Sequence, residues 1–159
     1  MGRVIVTEFV SLDGVMEAPG GEPGYAHSGW TMDFADGGQY GYKLEEVLAA
    51  DVLVLGRVTY EGFAEAWPGR TDKAGFADKM NTMPKYVVST TLDEATWSNS
   101  TVLRDLGEVR RLKSDLEGAI LVAGSRTVVH GLLEHGRRAP THGLSGDPRV
   151  RTTDLPGDA

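Results

Sequence analysis

Two segments of the chain place an arginine and hydroxyl residues directly after a glycine, a combination suited to binding phosphate. Each segment begins with a short apolar run, 52–55 in the first and 120–123 in the second. The first run is followed by Gly56, Arg57, Val58 and Thr59 (the first turn), and the second by Gly124, Ser125, Arg126 and Thr127 (the second turn). Glycine allows a sharp backbone turn, and the residues after it expose unpaired N–H groups at the start of a helix. Arginine and hydroxyl side chains add further donors. The pair of turns therefore predicts a ligand with more than one phosphate, such as a dinucleotide.

The same strand–glycine–helix turns also occur in α/β proteins that bind no phosphate, so each turn alone leaves that alternative open. Neither segment contains G-x-G-x-x-G or G-x-x-x-x-G-K-[ST], which excludes the standard Rossmann and P-loop motifs. The repetition of the design, each time with an arginine and a hydroxyl residue, is the feature that favours a shared phosphate site.

Composition narrows the range of partners. The chain has 159 residues, which is the size of one domain, and a formal net charge of −7, which disfavours nucleic acid and anionic membranes. It contains no cysteine, and its four histidines lack metal-ligand spacing, so we expect no metal site. The sequence opens directly into a strand pattern without a signal peptide or a run that could span a bilayer. We expect a cytoplasmic protein whose partner is a small molecule.

Alternating strand and helix patterns predict an α/β fold with a largely parallel sheet. The predicted strands cover 3–12, 51–55, 85–90, 101–103 and 119–123, and the predicted helices cover 39–50, 59–66, 73–83, 107–117 and 125–135. Residues 15–37 are rich in Gly, Pro and Asp and predict a long functional or mobile loop. Because this loop carries Trp30, Met32 and Phe34, we expect it to fold back over the domain.

Four short segments in this order resemble the dihydrofolate-reductase-like superfamily. They are Ser11-Leu12-Asp13-Gly14, Gly56-Arg57-Val58-Thr59-Tyr60-Glu61, Val88-Ser89-Thr90-Thr91 and Val122-Ala123-Gly124-Ser125. Within that superfamily the chain resembles the C-terminal reductase domain of the bifunctional riboflavin-biosynthesis deaminase/reductase, and the stand-alone dihydrofolate reductase family proteins. The resemblance covers residues 3–135, and it implies a three-layer α/β/α fold with a mostly parallel central sheet.

The resemblance also implies NADPH as the cofactor. Gly56, Arg57, Val58 and Thr59 would hold its phosphates, and Ser89 and Thr90 would lie near the adenosine 2′-phosphate. Gly124, Ser125, Arg126 and Thr127 would cradle the pyrophosphate. These assignments agree with the two turns found from the residues alone. The activity implied is hydride transfer to a pterin-like or aminopyrimidine substrate, similar to 5-amino-6-(5-phosphoribosylamino)uracil.

Carboxylates near the open end of the sheet are the candidates for catalysis and substrate binding. The resemblance places Asp13 beside the nicotinamide, although an Asp-Gly pair is also a common turn. Asp33 and Asp36 lie where dihydrofolate reductases hold the pterin with a carboxylate, although a solvated loop aspartate is the simpler interpretation of each. We therefore predict Asp13 and Asp36 as catalytic, and Asp33 and Trp30 as substrate-binding. For Trp30 a plain core position is the alternative.

The last residues depart from the family pattern. From 136 to 159 the chain has neither helical nor strand periodicity, which predicts a disordered tail outside the 1–135 domain. Shifting the reading frame by one base allows this segment to encode V-D-E-L-R-L-M, V-Y-P-V-I-L and G-S-G-R-L-I-F, which resembles the continuation found in the family. The hypothesis is that the tail is a frameshift product and that the C-terminal strands are missing. The first strand would then become an exposed, apolar sheet edge.

The sequence is compatible with two functions. The first is an NADPH-dependent reductase, and a homodimer is compatible with it because reductase domains of this type often pair. The second is a truncated remnant without catalytic activity, which binds nucleotide weakly or not at all. A flavin-binding module is disfavoured because nothing in the sequence indicates an isoalloxazine site.

Overall fold

The apolar runs of the sequence form one sheet of five parallel strands. The structure is a computed structural model that describes residues 2–34 and 37–138, with the backbone alone for the last three. Its strands are β1 (Arg3–Thr7), β2 (Val52–Gly56), β3 (Lys85–Val88), β4 (Ser100–Leu103) and β5 (Ala119–Ala123), in the order β1-β5-β2-β3-β4. The first four residues of both β2 and β5 are buried, as expected for strands covered on both faces.

Helices cover both faces of the sheet. They are α1 (Gly37–Ala49), α2 (Arg57–Ala66), α3 (Phe76–Thr82), α4 (Leu106–Asp115) and α5 (Arg126–Arg138), with a 3-10 helix at Trp30–Phe34. Side chains from α1, α2 and α3 pack with Leu53, Leu55 and Leu121 on one face. Side chains from α4 and α5 pack with Val54 and Ile120 on the other face. Successive strand residues point to opposite faces, so this division confirms the predicted three-layer fold.

The first strand is shorter than predicted and lies at one edge of the described sheet. β1 ends at Thr7, so the predicted strand at 3–12 is wrong beyond that residue. There the chain leaves the sheet, and the backbone N–H of Ser11 donates to the carbonyl of Val15 at 2.9 Å as a loop begins. In the described part of the chain β1 pairs only with β5, and Val6 is 43% exposed. Within the described residues β1 is therefore an edge strand.

The other strands and helices lie within a few residues of their predicted bounds. The 3-10 helix was missed because five residues in a loop carry no usable periodicity. The predicted domain boundary at residue 135 falls inside α5, which continues to Arg138. The frameshift hypothesis concerns mainly 139–159, which lie outside the described residues. None of the described helices has the length and apolar content needed to cross a bilayer.

The sheet topology creates a crevice between β2 and β5. These two strands lie side by side, with Val52 opposite Ile120 and Val54 opposite Val122. The chain leaves β2 toward α2 on one face and leaves β5 toward α5 on the opposite face. In open α/β sheets, the carboxyl ends of two such strands form the place where ligands bind.

Candidate functional site

The two glycine turns meet at this crevice and pack directly against each other. The backbone N–H of Gly56 donates to the Ser125 hydroxyl at 2.8 Å. A Cβ on Gly56 would lie 3.2 Å from Val128 Cγ2, and a Cβ on Gly124 would lie 3.3 Å from Thr59 Cγ2. Gly124 also has a φ of +60°, which side chains disfavour. Both glycines are thus required for the close approach of one turn to the other.

Each turn ends in the first residues of a helix. α2 begins after Gly56, and no side chain caps its first N–H groups. At the start of α5 the backbone carbonyl of Ser125 accepts from Val128 N at 2.8 Å and from Val129 N at 3.1 Å. Two helix N-termini therefore point their partial positive charges toward one crevice, although the whole chain carries a formal net charge of −7.

The two arginines differ in what they contact. Arg57 Nη1 pairs with Glu61 Oε1 at 3.0 Å on the surface of α2. Arg126 is exposed and has no hydrogen-bond or ion-pair partner within 2–34 and 37–138. An incoming anion would compete with Glu61 for Arg57, whereas it would find Arg126 available. The second turn is therefore better prepared than the first to bind an anion.

A cavity of about 870 Å³ opens at the crevice, and all eight residues of the two turns line it. Its volume lies within the range typical of small-molecule sites. Aromatic side chains of α2 and α3 form an apolar part of the wall, with the Trp67 and Phe76 ring centroids 5.0 Å apart. The structure therefore brings eight of the ten predicted cofactor residues to one cavity.

The other two predicted cofactor residues, Ser89 and Thr90, follow β3 just beyond the cavity. Val88 lines the cavity, but Ser89 and Thr90 do not. The Ser89 hydroxyl accepts the N–H groups of Thr91 at 3.2 Å and of Leu92 at 2.9 Å, so it stabilises a turn. Thr90 is exposed and its hydroxyl faces solvent. As placed here, Thr90 is the better positioned of the two for an external ligand.

A cluster of polar side chains lies at the carboxyl end of β1, in the same cavity. It consists of Thr7, Glu8, Lys43 and Glu46. The Thr7 hydroxyl donates to Glu46 Oε2 at 2.8 Å, and Lys43 Nζ contacts both the Thr7 hydroxyl and, at 3.2 Å, Glu46 Oε2. Lys43 Nζ also lies 4.9 Å from the centroid of the Phe9 ring. Three of the four side chains thus hold one another in place.

Glu8 is the member of this cluster without such support. Its Oε1 is buried and has no hydrogen-bond partner among the described residues. Burial raises the pKa of Glu8 to about 7, although the positive charge of Lys43 acts in the opposite direction. A carboxyl group of this kind is half protonated near neutral pH. It is thus suited to giving and taking a proton.

The loop after β1 forms one wall of the cavity, through residues 16–20, 22, 23 and 25. Three hydrogen bonds from residues 29–31 hold this wall. Trp30 Nε1 donates to Glu17 O at 3.0 Å, Thr31 Oγ1 to Pro19 O at 2.6 Å, and Gly29 N to Ala18 O at 2.9 Å. Trp30 itself does not line the cavity. Its indole N–H holds the wall through Glu17 O, and the substrate-binding role of Trp30 stays a prediction.

Two of the predicted carboxylates, Asp13 and Asp33, do not line the cavity. Asp13 is exposed, and the Ser11 hydroxyl, which donates to it at 2.5 Å, lowers its pKa. Asp33 is exposed in the 3-10 helix, and neither residue lines the cavity. Asp36 lies outside the described residues. The catalytic roles of Asp13 and Asp36, and the substrate-binding role of Asp33, stay predictions.

The glycine turns give no indication of the polar cluster, but another feature of the sequence does. Glu8 interrupts the apolar run Val4-Ile5-Val6-Thr7-Glu8-Phe9-Val10, and charged residues rarely occur in buried segments without a partner or a function. Lys43 and Glu46 are spaced three apart on one face of α1, as expected of an ordinary surface ion pair. Only the tertiary structure shows that this pair faces Glu8.

Comparison with known proteins assigns the chain to a family. The family model of the RibD C-terminal domain matches residues 3–137. No curated protein matches the sequence closely enough to count as a relative. Within the described part of the chain, no group of histidine, aspartate or glutamate side chains is arranged to hold a metal ion.

Proposed function

The chain belongs to the RibD C-terminal domain family, and on this basis we propose that it is an NADPH-dependent reductase acting on a pterin-like or aminopyrimidine substrate. The observation that carries the proposal is the contact between the two turns. They come from separate strands, they touch through Gly56 N and Ser125 Oγ at 2.8 Å, and they line a single cavity. A ligand with two linked phosphates fits two adjoining helix N-termini better than a monophosphate does.

The residues of the cavity fit such a cofactor. The backbone N–H groups at the start of α2 and α5 are the donors expected to hold the phosphates, with Arg126 and Arg57 adding charge. Thr90, which is exposed two residues after β3, is the candidate for contacting the 2′-phosphate. When bound, the nicotinamide coenzyme supplies a hydride to a carbon of the substrate.

The chain's own contribution is orientation, exclusion of water and a source of protons. The wall at 16–25 covers one side of the cavity and is held by Trp30 and Thr31. The apolar side chains around Trp67 and Phe76 suit one face of a planar heterocycle. The polar cluster at the end of β1 suits the N–H and carbonyl groups of a pyrimidine ring.

Thermal unfolding with NADPH and NADH tests the cofactor assignment. Binding to the folded state alone raises its stability by about 2.7 kcal/mol when the ligand is at a hundredfold excess over Kd. We expect a clear rise in Tm with NADPH and a smaller one with NADH, because the two differ only in the 2′-phosphate. Equal rises would contradict recognition of that phosphate, and no rise with either would contradict the proposal.

The second candidate is a truncated remnant without catalytic activity, which binds nucleotide weakly or not at all. It is favoured by the exposure of Val6 and by the pairing of β1 on one side only among the described residues. Incubation with NADPH and 5-amino-6-(5-phosphoribosylamino)uracil distinguishes the two. Substrate-dependent loss of NADPH absorbance is expected of the reductase, whereas no turnover of this or a pterin-like probe is expected of the second candidate.

A further inference from the structure

We propose that Glu8 is the acid that protonates the substrate during reduction, an inference that rests on the proposed reductase function. Glu8 follows directly after the strand that adjoins the second turn. Thr7 is opposite Ala123, and Gly124 N donates to Thr7 O at 3.1 Å. Because neighbouring strands lie about 5 Å apart, Glu8 begins only one strand away from the second turn. Both line the same cavity.

The surroundings of Glu8 distinguish it from the other ionisable groups of the cavity. Glu46 accepts a hydrogen bond from Thr7 and pairs with Lys43, so its negative charge is already stabilised. Glu8 has a buried oxygen without a partner in the described residues. The remaining ionisable groups lining the cavity are Glu17, Glu22 and Tyr25 of the loop, Tyr40 of α1, and Arg57 and Arg126 of the turns.

With Lys43 nearby, the site can accommodate both the protonated and the deprotonated form of Glu8. Before the reaction, burial favours the neutral acid. After the proton has left, the Lys43 ammonium, which is held by Thr7 and Glu46, stabilises the new carboxylate. Lys43 acts through Glu8 and is therefore a positioning residue.

The step balances in atoms and electrons for a substrate with a C=N bond. The carbon accepts the hydride and forms a C–H bond, and the electron pair of the π bond moves onto the nitrogen. The nitrogen then takes the proton of Glu8 and forms an N–H bond. The substrate is reduced by two electrons and the nicotinamide coenzyme is oxidised by two. Glu8 is left as a carboxylate and regains a proton from solvent.

Titration of the Glu8 carboxyl by ¹³C NMR tests the inference without any need for turnover. Glutamate-labelled protein is followed across neutral pH, and the resonance absent from Glu8→Gln identifies the group. We expect a midpoint near 7. We also expect NADP⁺, whose nicotinamide ring is cationic, to lower that midpoint relative to NADPH, whose ring is neutral. Glu117→Gln, on the surface just before β5, is the matched control.

The kinetic test uses NADPH with 5-amino-6-(5-phosphoribosylamino)uracil as the probe. Loss of a general acid typically lowers the rate by about 10²–10⁴-fold, so kcat should fall in Glu8→Gln while KM changes little. In the unmodified protein kcat/KM should decline as pH rises above 7. Glu8→Asp should keep that decline at a lower rate, whereas Glu117→Gln should behave as the unmodified protein does.

The outcomes separate this inference from the proposed function. If NADPH raises Tm but Glu8 titrates in the ordinary carboxyl range, or responds equally to NADP⁺ and NADPH, the inference is wrong and the reductase proposal stands. Equal reduction of the probe by Glu8→Gln would overturn it as well. If NADPH does not raise Tm, the reductase proposal fails and the inference fails with it. If the probe is not reduced at all, the midpoints of Glu8 measured with NADP⁺ and with NADPH decide whether the inference holds.

Discussion

Two ionisable side chains, Lys85 and Glu8, lie at opposite ends of the sheet, and their surroundings differ sharply. Lys85, at the amino end of β3, has no exposed surface, and its Nζ donates to the carbonyls of Met83 at 2.8 Å, Ser98 at 3.0 Å and Asn81 at 3.2 Å. The same Nζ lies 4.3 Å from the centroid of the Trp97 ring. Burial lowers the pKa of Lys85 to about 8, so at pH 7 it stays charged.

Glu8, just past the carboxyl end of β1, has neither a complete set of partners nor full burial. Every donor of Lys85 has an acceptor, whereas one oxygen of Glu8 has no partner in the part of the chain that the structure describes. Polar groups that stabilise a fold are normally satisfied, and unsatisfied ones concentrate at functional sites. The difference indicates that Lys85 contributes stability, whereas the unpartnered oxygen of Glu8 lies in the candidate site.

The largest expected effect on stability is at the amino end. Lys85→Met keeps the bulk of the side chain but removes the donor to Met83 O and Ser98 O, while Asn81 O retains the Ser98 hydroxyl at 2.9 Å. Loss of the buried bond to Met83 O and the part-buried bond to Ser98 O should lower the free energy of unfolding by about 2–3 kcal/mol. Urea unfolding at pH 7 measures this, with Lys79→Met on α3 as the control. An unchanged midpoint would show that Lys85 has no structural role.

Glu8→Gln is expected to raise the free energy of unfolding, whereas Lys85→Met lowers it. The pKa of Glu8 is about 7 in the folded state against 4.5 ordinarily, so the folded protein binds more protons between these values. Stability of the unmodified protein therefore falls as pH rises through this window. The variant lacks this penalty and should be more stable at pH 8 by about 1–2 kcal/mol, after a discount for partial solvent screening.

The two proteins should converge near pH 4, where Glu8 is protonated in both the folded and unfolded states. Glu46→Gln is the control at pH 8. It weakens the contacts to Thr7 and Lys43 and should lower the free energy of unfolding by about 0.5–1 kcal/mol. Urea unfolding at several pH values measures all three proteins. If Glu8→Gln is less stable than the unmodified protein at pH 8, the contrast between the two ends of the sheet breaks down.

Most of the fold is predictable from the sequence because its main determinants are local. β2 and β5 are continuous apolar runs followed closely by glycine, and these two features alone predict the two turns. The order of the strands is not local, since the pairing of β5 between β1 and β2 depends on contacts far apart in the chain. The family resemblance predicted the three layers and the mostly parallel sheet, but the strand order was not predicted.

The candidate site also has parts that were predictable from local sequence and parts that were not. The two turns were predictable because each is a contiguous string of residues with a physical meaning. The cluster around Glu8 was not, because it joins the end of β1 to one face of α1, from residues 35 or more positions apart. Trp30 shows a third case, since its aromatic character indicated burial but not which side of the loop wall it would pack against.

Two similar hydrogen bonds join β2 to β5, one at each end of the sheet. They allow the amino and carboxyl ends to be compared directly. At the amino end, Ala119 N donates to Asp51 Oδ2 at 2.7 Å, and at the carboxyl end Gly56 N donates to Ser125 Oγ at 2.8 Å. Asp51→Ala and Ser125→Ala should each lower the free energy of unfolding by about 1 kcal/mol. Only Ser125→Ala should also weaken NADPH binding, measured by calorimetry. Equal weakening by both variants would mean that the loss follows from stability alone.

The smallest effect on stability is expected at Arg126, which lies at the functional end and has no partner within 2–34 and 37–138. Arg126→Ala should change the free energy of unfolding by less than about 0.5 kcal/mol. If the second turn holds the pyrophosphate, the variant loses a charge-assisted contact of about 1.5–3 kcal/mol, so the Kd for NADPH should rise roughly 10- to 100-fold.

Arg57→Ala is the matched control for Arg126→Ala. Arg57 must first release Glu61, which it contacts at 3.0 Å, so its removal should raise the Kd for NADPH less than removal of Arg126 does. Because NADH carries the same pyrophosphate, Arg126→Ala should weaken binding of both coenzymes by a similar factor. A loss of affinity for NADPH alone would indicate that Arg126 contacts the 2′-phosphate and not the pyrophosphate. Unchanged binding of both coenzymes would show that Arg126 does not contact the cofactor, and would count against the second turn as the pyrophosphate site.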